Sequence, residues 1–307
     1  MSGSLLIIGG TGFIGANLSL RALKSGYKVV VLSLSTPSLE KKINNIKYIQ
    51  VDITDLDKLK EKIGGVSFDY IVNLSGYINH CNFSDGGKKV IDVHFGGLQN
   101  ILQSVNLSSL KRFVQIGSSD EYGHLPAPQN EDMPESPISP YSLAKVSSTK
   151  LLQMLYSTEE IPTVILRLFL VYGPGQDAGR FMPQIIQGCL SSELFSVSAG
   201  EQLRDFCYID DVTHGILMSL KNDKVNGKVI NIASGKSIRI REVVELVQKN
   251  IGQGKANFGK IPYRIGENMA LYADISKANS ILRWNPVVSI EEGIKKTIDY
   301  YQRKTSH

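Results

Sequence analysis

Tyr141 and Lys145 stand four positions apart in Pro140-Tyr141-Ser142-Leu143-Ala144-Lys145, so a helix would place both side chains on one face. A phenol with a pKa near ~10 is a poor base at neutral pH, but a neighbouring ammonium stabilises the phenolate and brings proton transfer from an alcohol within reach. Taken alone, such a spacing is common on ordinary helix surfaces. Ser118 adds context: it lies in Ile116-Gly117-Ser118-Ser119-Asp120-Glu121-Tyr122-Gly123, just past an apolar run. Ligands of open parallel sheets sit beyond such strand ends.

A second constellation concerns phosphate. Gly10-Thr11-Gly12-Phe13-Ile14-Gly15 follows the apolar run Leu5–Ile8 and opens an amphipathic segment, with Gly9 immediately upstream. Glycines permit a tight turn and close backbone approach, and a helix N-terminus offers free N–H groups to a pyrophosphate. Strand, turn, helix and returning strand fit within ~30 residues, the context a dinucleotide fingerprint requires. The acidic residue that usually follows by ~20 positions to hold the ribose of NAD is absent. Ser33 and Ser35 stand at that strand end, with Lys41 and Lys42 nearby, so NAD and NADP both remain open as cofactors. Asp52, before Ile53, is either an adenine contact or a solvated strand-end carboxylate.

These groups need a scaffold, and the hydropathy pattern supplies one. Short, largely apolar runs predict strands at Leu5–Ile8, Lys28–Leu32, Tyr48–Val51, Tyr70–Leu74, Arg112–Ile116 and Thr163–Leu168. Amphipathic segments predict helices at Phe13–Ser25, Asp55–Ile63, Lys88–Ser104 and Ser142–Ser157, with Pro140 where a proline does no harm at a helix start. Pro126–Pro140, with five prolines in fifteen residues, is a loop between them. Alternation of this kind predicts an α/β fold, a Rossmann doubly wound parallel sheet with a smaller C-terminal α/β lobe. Residues 1–174 with 206–233, including the strand Lys228–Ile232, are expected to form the NAD(P)-binding domain, and residues 175–205 with 234–307 the substrate lobe.

Composition narrows the class. The chain has 307 residues, 42% hydrophobic and 21% charged, which excludes wholesale disorder and a small stapled module. Its net charge of +5 includes no run of five basic residues, so a nucleic-acid partner is not expected. Cys81, Cys189 and Cys207 form no C-x-x-C pair, and we expect them to be reduced, with no metal site. The absence of a signal peptide layout or a run of ~20 apolar residues leads to the expectation of a cytoplasmic protein without a membrane partner.

Together these segments resemble the extended short-chain dehydrogenase/reductases, specifically the NAD(P)-dependent nucleotide-sugar epimerases, dehydratases and 4-keto reductases. The resemblance spans nearly the whole chain. It rests on Gly9–Gly15, Val51-Asp52-Ile53, the Ser118 segment, Pro140–Lys145, Leu166–Gln176, Leu203–Val212 and Trp284-Asn285-Pro286. It implies that Tyr141 takes a proton from a sugar hydroxyl, usually O4, while C4 passes hydride to the nicotinamide. Lys145 would bind the nicotinamide ribose and Ser118 the same sugar oxygen. It further implies cofactor contacts at Gly9, Gly12, Phe13, Ile14, Gly15, Ser33, Asp52, Ile53 and Leu74, and substrate contacts at Ser118, Ser119, Asp120, Tyr141 and Arg180. Arg204 and Arg264 would meet the diphosphate, although Arg204 could instead pair with Asp205 or Asp210.

Departures from the family pattern bear on the reaction. Family 4,6-dehydratases commonly place an acid and a base directly after the Ser118-equivalent position, where this chain has Ser119 and Asp120. One carboxylate disfavours dehydration and leaves oxidation, reduction or epimerisation at C4. Gly117–Gly123 and Ser136–Tyr141 look most like reductases of GDP-linked 4-keto-6-deoxyhexoses, and a role in surface-polysaccharide sugar biosynthesis follows. Leu170 replaces a frequent substrate-contacting Asn. His94 replaces another, as a proton relay or, more commonly for such a residue, a satisfied structural histidine. Relatives suggest a homodimer through the helices at Lys88–Ser104 and Ser142–Ser157. Ile91, Phe95, Leu98 and Leu102 form an apolar stripe there that could equally face the parent sheet. A non-catalytic dinucleotide-sensing scaffold is the contrasting expectation.

Overall fold

The computed structural model describes residues 2–191, 194–263 and 266–305. The first half alternates β1 (Ser4–Ile8), α1 (Phe13–Lys24), β2 (Lys28–Ser33), β3 (Lys47–Gln50), α2 (Leu56–Ile63), β4 (Tyr70–Asn73), α3 (Gly87–Ile91), α4 (Gly97–Ser104), β5 (Arg112–Ser118), α5 (Pro140–Glu159) and β6 (Thr163–Leu168). The second half runs β7 (Leu170–Tyr172), α6 (Phe181–Leu190), β8 (Leu194–Ser196), β9 (Leu203–Arg204), β10 (Phe206–Tyr208), α7 (Ile209–Leu220) and β11 (Lys228–Ile232). It finishes with β12 (Ile238–Arg239), α8 (Ile240–Ile251), β13 (Lys255–Asn257), β14 (Ala270–Leu271) and α9 (Ile290–Thr305).

Seven strands form one parallel sheet in the order β11-β6-β5-β4-β1-β2-β3. The chain builds outward from β1 through β2 and β3, then crosses to start again at β4. Strand order therefore reverses between β1 and β4, and their C-terminal ends bound the crevice where such sheets take ligands. Alternation along β1 explains why both faces are covered. Leu5 and Ile7 enter one core with Leu18, Ala22 and Ile216, whereas Leu6 and Ile8 enter another with Leu59, Ile101 and Leu152. A third core, around Met182, Ile186, Val244, Val247 and Ile298, joins α6, α8 and α9 away from the main sheet.

One expected helix differs. Instead of running unbroken from Lys88 to Ser104, it is α3 and α4 joined by a wide π turn over Asp92–Gly96. The turn carries His94, whose ring is buried against the neighbouring loop and helix. Such single-turn bulges are costly and recur at functional sites. Of the apolar stripe, Leu98 and Leu102 pack into the core shared with β1 and α2, whereas Ile91 and Phe95 are half-buried outside it. All three cysteines are free. Among the described residues no cluster of His, Cys, Asp or Glu could hold a metal, and no helix is long and apolar enough to cross a membrane.

Candidate active site

The glycine turn sits at the reversal point of the sheet. Gly9 has a φ of +78°, and a Cβ there would lie 2.9 Å from the Leu74 carbonyl, so β1 and β4 approach closely only because the residue is glycine. At Gly15 a Cβ would come within 2.4 Å of the Gly9 oxygen, whereas at Gly12 it would meet nothing nearer than that oxygen at 3.4 Å. The open side of Gly12 is the cradle, and Gly12 caps α1 without any side chain blocking it. No acidic residue occupies the first turn of α1, so its N-terminal N–H groups suit a pyrophosphate. These features fit a dinucleotide.

The other expected cofactor residues divide into shaping and facing groups. Phe13 and Ile14 present their amides at the start of α1 while their side chains pack on the third core. Ser33 is buried and its hydroxyl accepts the Thr11 N–H at 3.2 Å, so it braces the glycine turn. Asp52 is exposed and accepts from the Thr54 amide and hydroxyl at 2.9 and 2.8 Å, while Ile53 is buried beneath it. Leu74 donates its amide to Ile8 at the strand gap.

On the same edge, β5 ends at Ser118 and α5 begins beside it. Ser139 accepts the Ser142 amide at 3.1 Å and Pro140 takes the first helical position, which starts α5 one residue before Tyr141. Tyr141 and Lys145 are both buried, with the ammonium 5.8 Å from the phenol ring centroid and donating to the Ile116 carbonyl at 2.8 Å. Burial pushes the Lys145 pKa down to about 8, against the pull of Glu121 and Asp120. Burial also raises the Tyr141 phenol, and the Asp120 carboxylate adds to that, while hydrogen bonding with Ser118 and the charge of Arg180 act in the opposite sense. Ser118, Tyr141 and Lys145 are therefore brought together, with Arg180 and Asp120 close enough to be felt. Ser119 is buried alongside.

Arg204 does not make the carboxylate pair that was its alternative. Its guanidinium pairs with Glu267 and with the Leu203 carbonyl, not with Asp205 or Asp210. Asp205 instead accepts from Ser234 and Gly235. Arg264 lies outside the described residues. Leu170 opens β7, donates its amide to Asp205 and packs on the third core.

His94 is held in the neutral form, its pKa lowered to about 3 by burial and by the Lys145 charge. Its Nε2 lies 2.9 Å from the Tyr77 carbonyl oxygen, and its ring meets Tyr141 edge-on at 5.1 Å. Two features escaped the sequence reading. His80 packs on Tyr141 from the loop after β4, with its Nε2 3.6 Å from Asp120 Oδ2. Glu121 is fully buried, accepting from the Ser118 amide, Thr149 and Arg167. The pattern Ser118-x-x-Glu121 is a capping-box signature that could have revealed the second of these.

A family model described as "NAD dependent epimerase/dehydratase family" matches residues 5–233. The UDP-glucuronate 4-epimerase of Thermodesulfobacterium geofontis (strain OPF15) is 28% identical over 312 residues, covering 97% of this chain and 96% of its own. The solved structure of UDP-glucuronic acid 4-epimerase from Bacillus cereus, in complex with UDP-glucuronic acid and NAD, is 30% identical with a TM-score of 0.85 and covers 98% of this chain and 99% of that one. An epimerase from Methanothermobacter thermautotrophicus shares the fold, with a TM-score of 0.91 at 24% identity over 99% of this chain and 93% of its own. The matched span carries both the glycine cradle and the tyrosine–lysine pair, and the chain belongs to the NAD dependent epimerase/dehydratase family, enzymes of the extended short-chain dehydrogenase/reductase type that act on nucleotide sugars.

Proposed function

We propose that this enzyme oxidises, reduces or epimerises C4 of the sugar in a nucleotide-diphosphate sugar, using NAD or NADP. The observation that carries the reading is the meeting of Ser118, Tyr141 and Lys145 on the sheet edge that also bears the glycine cradle. A nicotinamide bound there supplies the acceptor or donor of the C4 hydride. Tyr141 removes the O4 proton in one direction and returns it in the other. Lys145 stabilises the phenolate, and the Ser118 hydroxyl holds the reacting oxygen. Arg180, at the N-terminus of α6, supplies positive charge on the substrate side.

Several finer points belong to the same reading. Residues 1–174 with 206–233 act as the cofactor half, supported by the pairing of β11 with β6, and the remainder holds the nucleotide sugar. The resemblance of Gly117–Gly123 to GDP-sugar reductases favours a GDP-linked substrate, whereas the Bacillus cereus relative is named with a UDP-linked one. A cytoplasmic homodimer serving surface-polysaccharide synthesis completes the proposal, with exposed Leu143 and Met154 on one face of α5 as the contact.

Mass spectrometry of nucleotides retained by the purified protein, followed by incubation with UDP-, GDP-, CDP- and dTDP-sugars, tests the reading. Tightly retained oxidised cofactor points to epimerase or dehydratase, and exchangeable reduced cofactor to reductase. Cofactor binding without turnover of any sugar nucleotide would favour the sensing scaffold instead.

A further inference from the structure

Proton transfer at O4 occupies Tyr141, Ser118 and Lys145, yet the same site holds an imidazole and a carboxylate that this step does not use. His80 lies on the loop after β4, and its ring meets Tyr141 at 5.6 Å with an interplanar angle of 78°. Its Nε2 faces Asp120 Oδ2 at 3.6 Å, and both side chains are partly open to solvent, at 41% and 28%. Nδ1 of His80 makes no hydrogen bond among the described residues, so one ring nitrogen faces the carboxylate and the other is left for a ligand. An imidazole oriented by a carboxylate and in contact with water is suited to taking up and releasing protons. It is in ring contact with the phenol that handles O4, so both side chains border the same site.

We propose that His80, oriented by Asp120, is a second acid–base group that exchanges the proton on a carbon adjacent to C4 once C4 is a ketone. The inference rests on the C4 reading above. Its chemistry balances without any added reactant. Oxidation at C4 makes the neighbouring C–H acidic. That bond breaks, its electron pair forms the enolate, and the proton passes to His80. The enolate oxygen is held by the Tyr141 and Ser118 hydroxyls, and return of a proton from His80 to carbon restores the ketone. Asp120 holds the imidazolium in between. The substrates this serves are nucleotide sugars whose C3 or C5 hydrogen is exchanged with solvent at the 4-keto stage.

The cofactor-loaded enzyme is incubated in deuterium oxide with UDP-glucose, UDP-glucuronic acid, GDP-mannose, CDP-glucose and dTDP-glucose. Nicotinamide absorbance reports hydride transfer, and NMR with mass spectrometry locates deuterium. The expected result is deuterium at C3 or C5 of the sugar that undergoes hydride transfer. In His80→Gln the ratio of deuterium incorporation to hydride transfer should fall roughly tenfold or more, and Asp120→Asn should lower it in the same direction. Hydride transfer in the wild type without deuterium at either carbon, or an unchanged ratio in His80→Gln, overturns the proposal. Absence of hydride transfer with every sugar counts against the C4 reading itself.

Discussion

The Glu121 carboxylate and the Arg167 guanidinium meet at 2.9 Å with both side chains fully shielded from solvent. Through Glu121 Oε1, which accepts the Ser118 amide at 2.9 Å, this pair fixes the end of β5 at Ser118. Arg167→Ala strands the buried carboxylate and should destabilise the fold by about 3–5 kcal/mol. Urea denaturation measures it; a loss below about 1 kcal/mol would mean that the pair does not hold β5 in place.

Lys145 and Tyr141 should titrate as a unit, because they share one buried environment. The first proton leaves with an apparent pKa of about 8, the value to which burial brings Lys145. For oxidation at C4, kcat/KM should therefore rise with pH toward 8 and level off above it. Lys145→Met removes the ammonium and should shift the rise to higher pH, since burial raises the phenol. A pH-independent rate between roughly 6 and 9 would contradict this coupling.

Much of this arrangement was visible in residue order, and what was hidden has a common cause. The strands of the main sheet are buried on both faces, so β1, β4, β5 and β6 appear as mostly apolar runs, with polar residues such as Gln115 and Arg167 the exceptions. Tyr141 and Lys145 share a helix face, so spacing alone relates them. Glu121 and Arg167 lie on different elements 46 positions apart, and Arg204 meets Glu267 63 positions later. Only the assembled sheet and lobe bring those charges together. His80 and Asp120 meet for the same reason, across the mouth of the crevice. The π turn at His94 follows a local pattern that reads as ordinary helix, because it depends on where the ring packs.

His94 gives the fold an acid-sensitive contact. Its pKa is about 3 when folded, against 6.5 for an ordinary histidine, so the unfolded chain binds the extra proton between those values. The contribution is fully present above pH 6.5 and is lost as pH falls toward 3, with a slope of at most ~1.4 kcal/mol per pH unit. Urea titrations across this window should show that slope reduced in His94→Asn. An unaltered slope would show that the imidazole is already protonated in the folded protein.

Gly15→Ala tests the cradle. A methyl group would come within 2.5 Å of the Gly10 Cα as well as meeting the Gly9 oxygen, so the turn must open. Stability should drop by about 1–3 kcal/mol. Affinity for NAD or NADP should fall roughly tenfold or more, because the amides lose their alignment. Calorimetric titration with each cofactor checks this and also settles which of the two the Ser33 strand end accepts.

The central claim is that Tyr141 exchanges the substrate proton. Its direct test is to compare turnover and cofactor affinity of wild type and Tyr141→Phe on the sugar nucleotide that the wild type consumes. Turnover should fall by roughly 100-fold to 10,000-fold with cofactor affinity nearly unchanged. Full turnover in Tyr141→Phe would contradict the account.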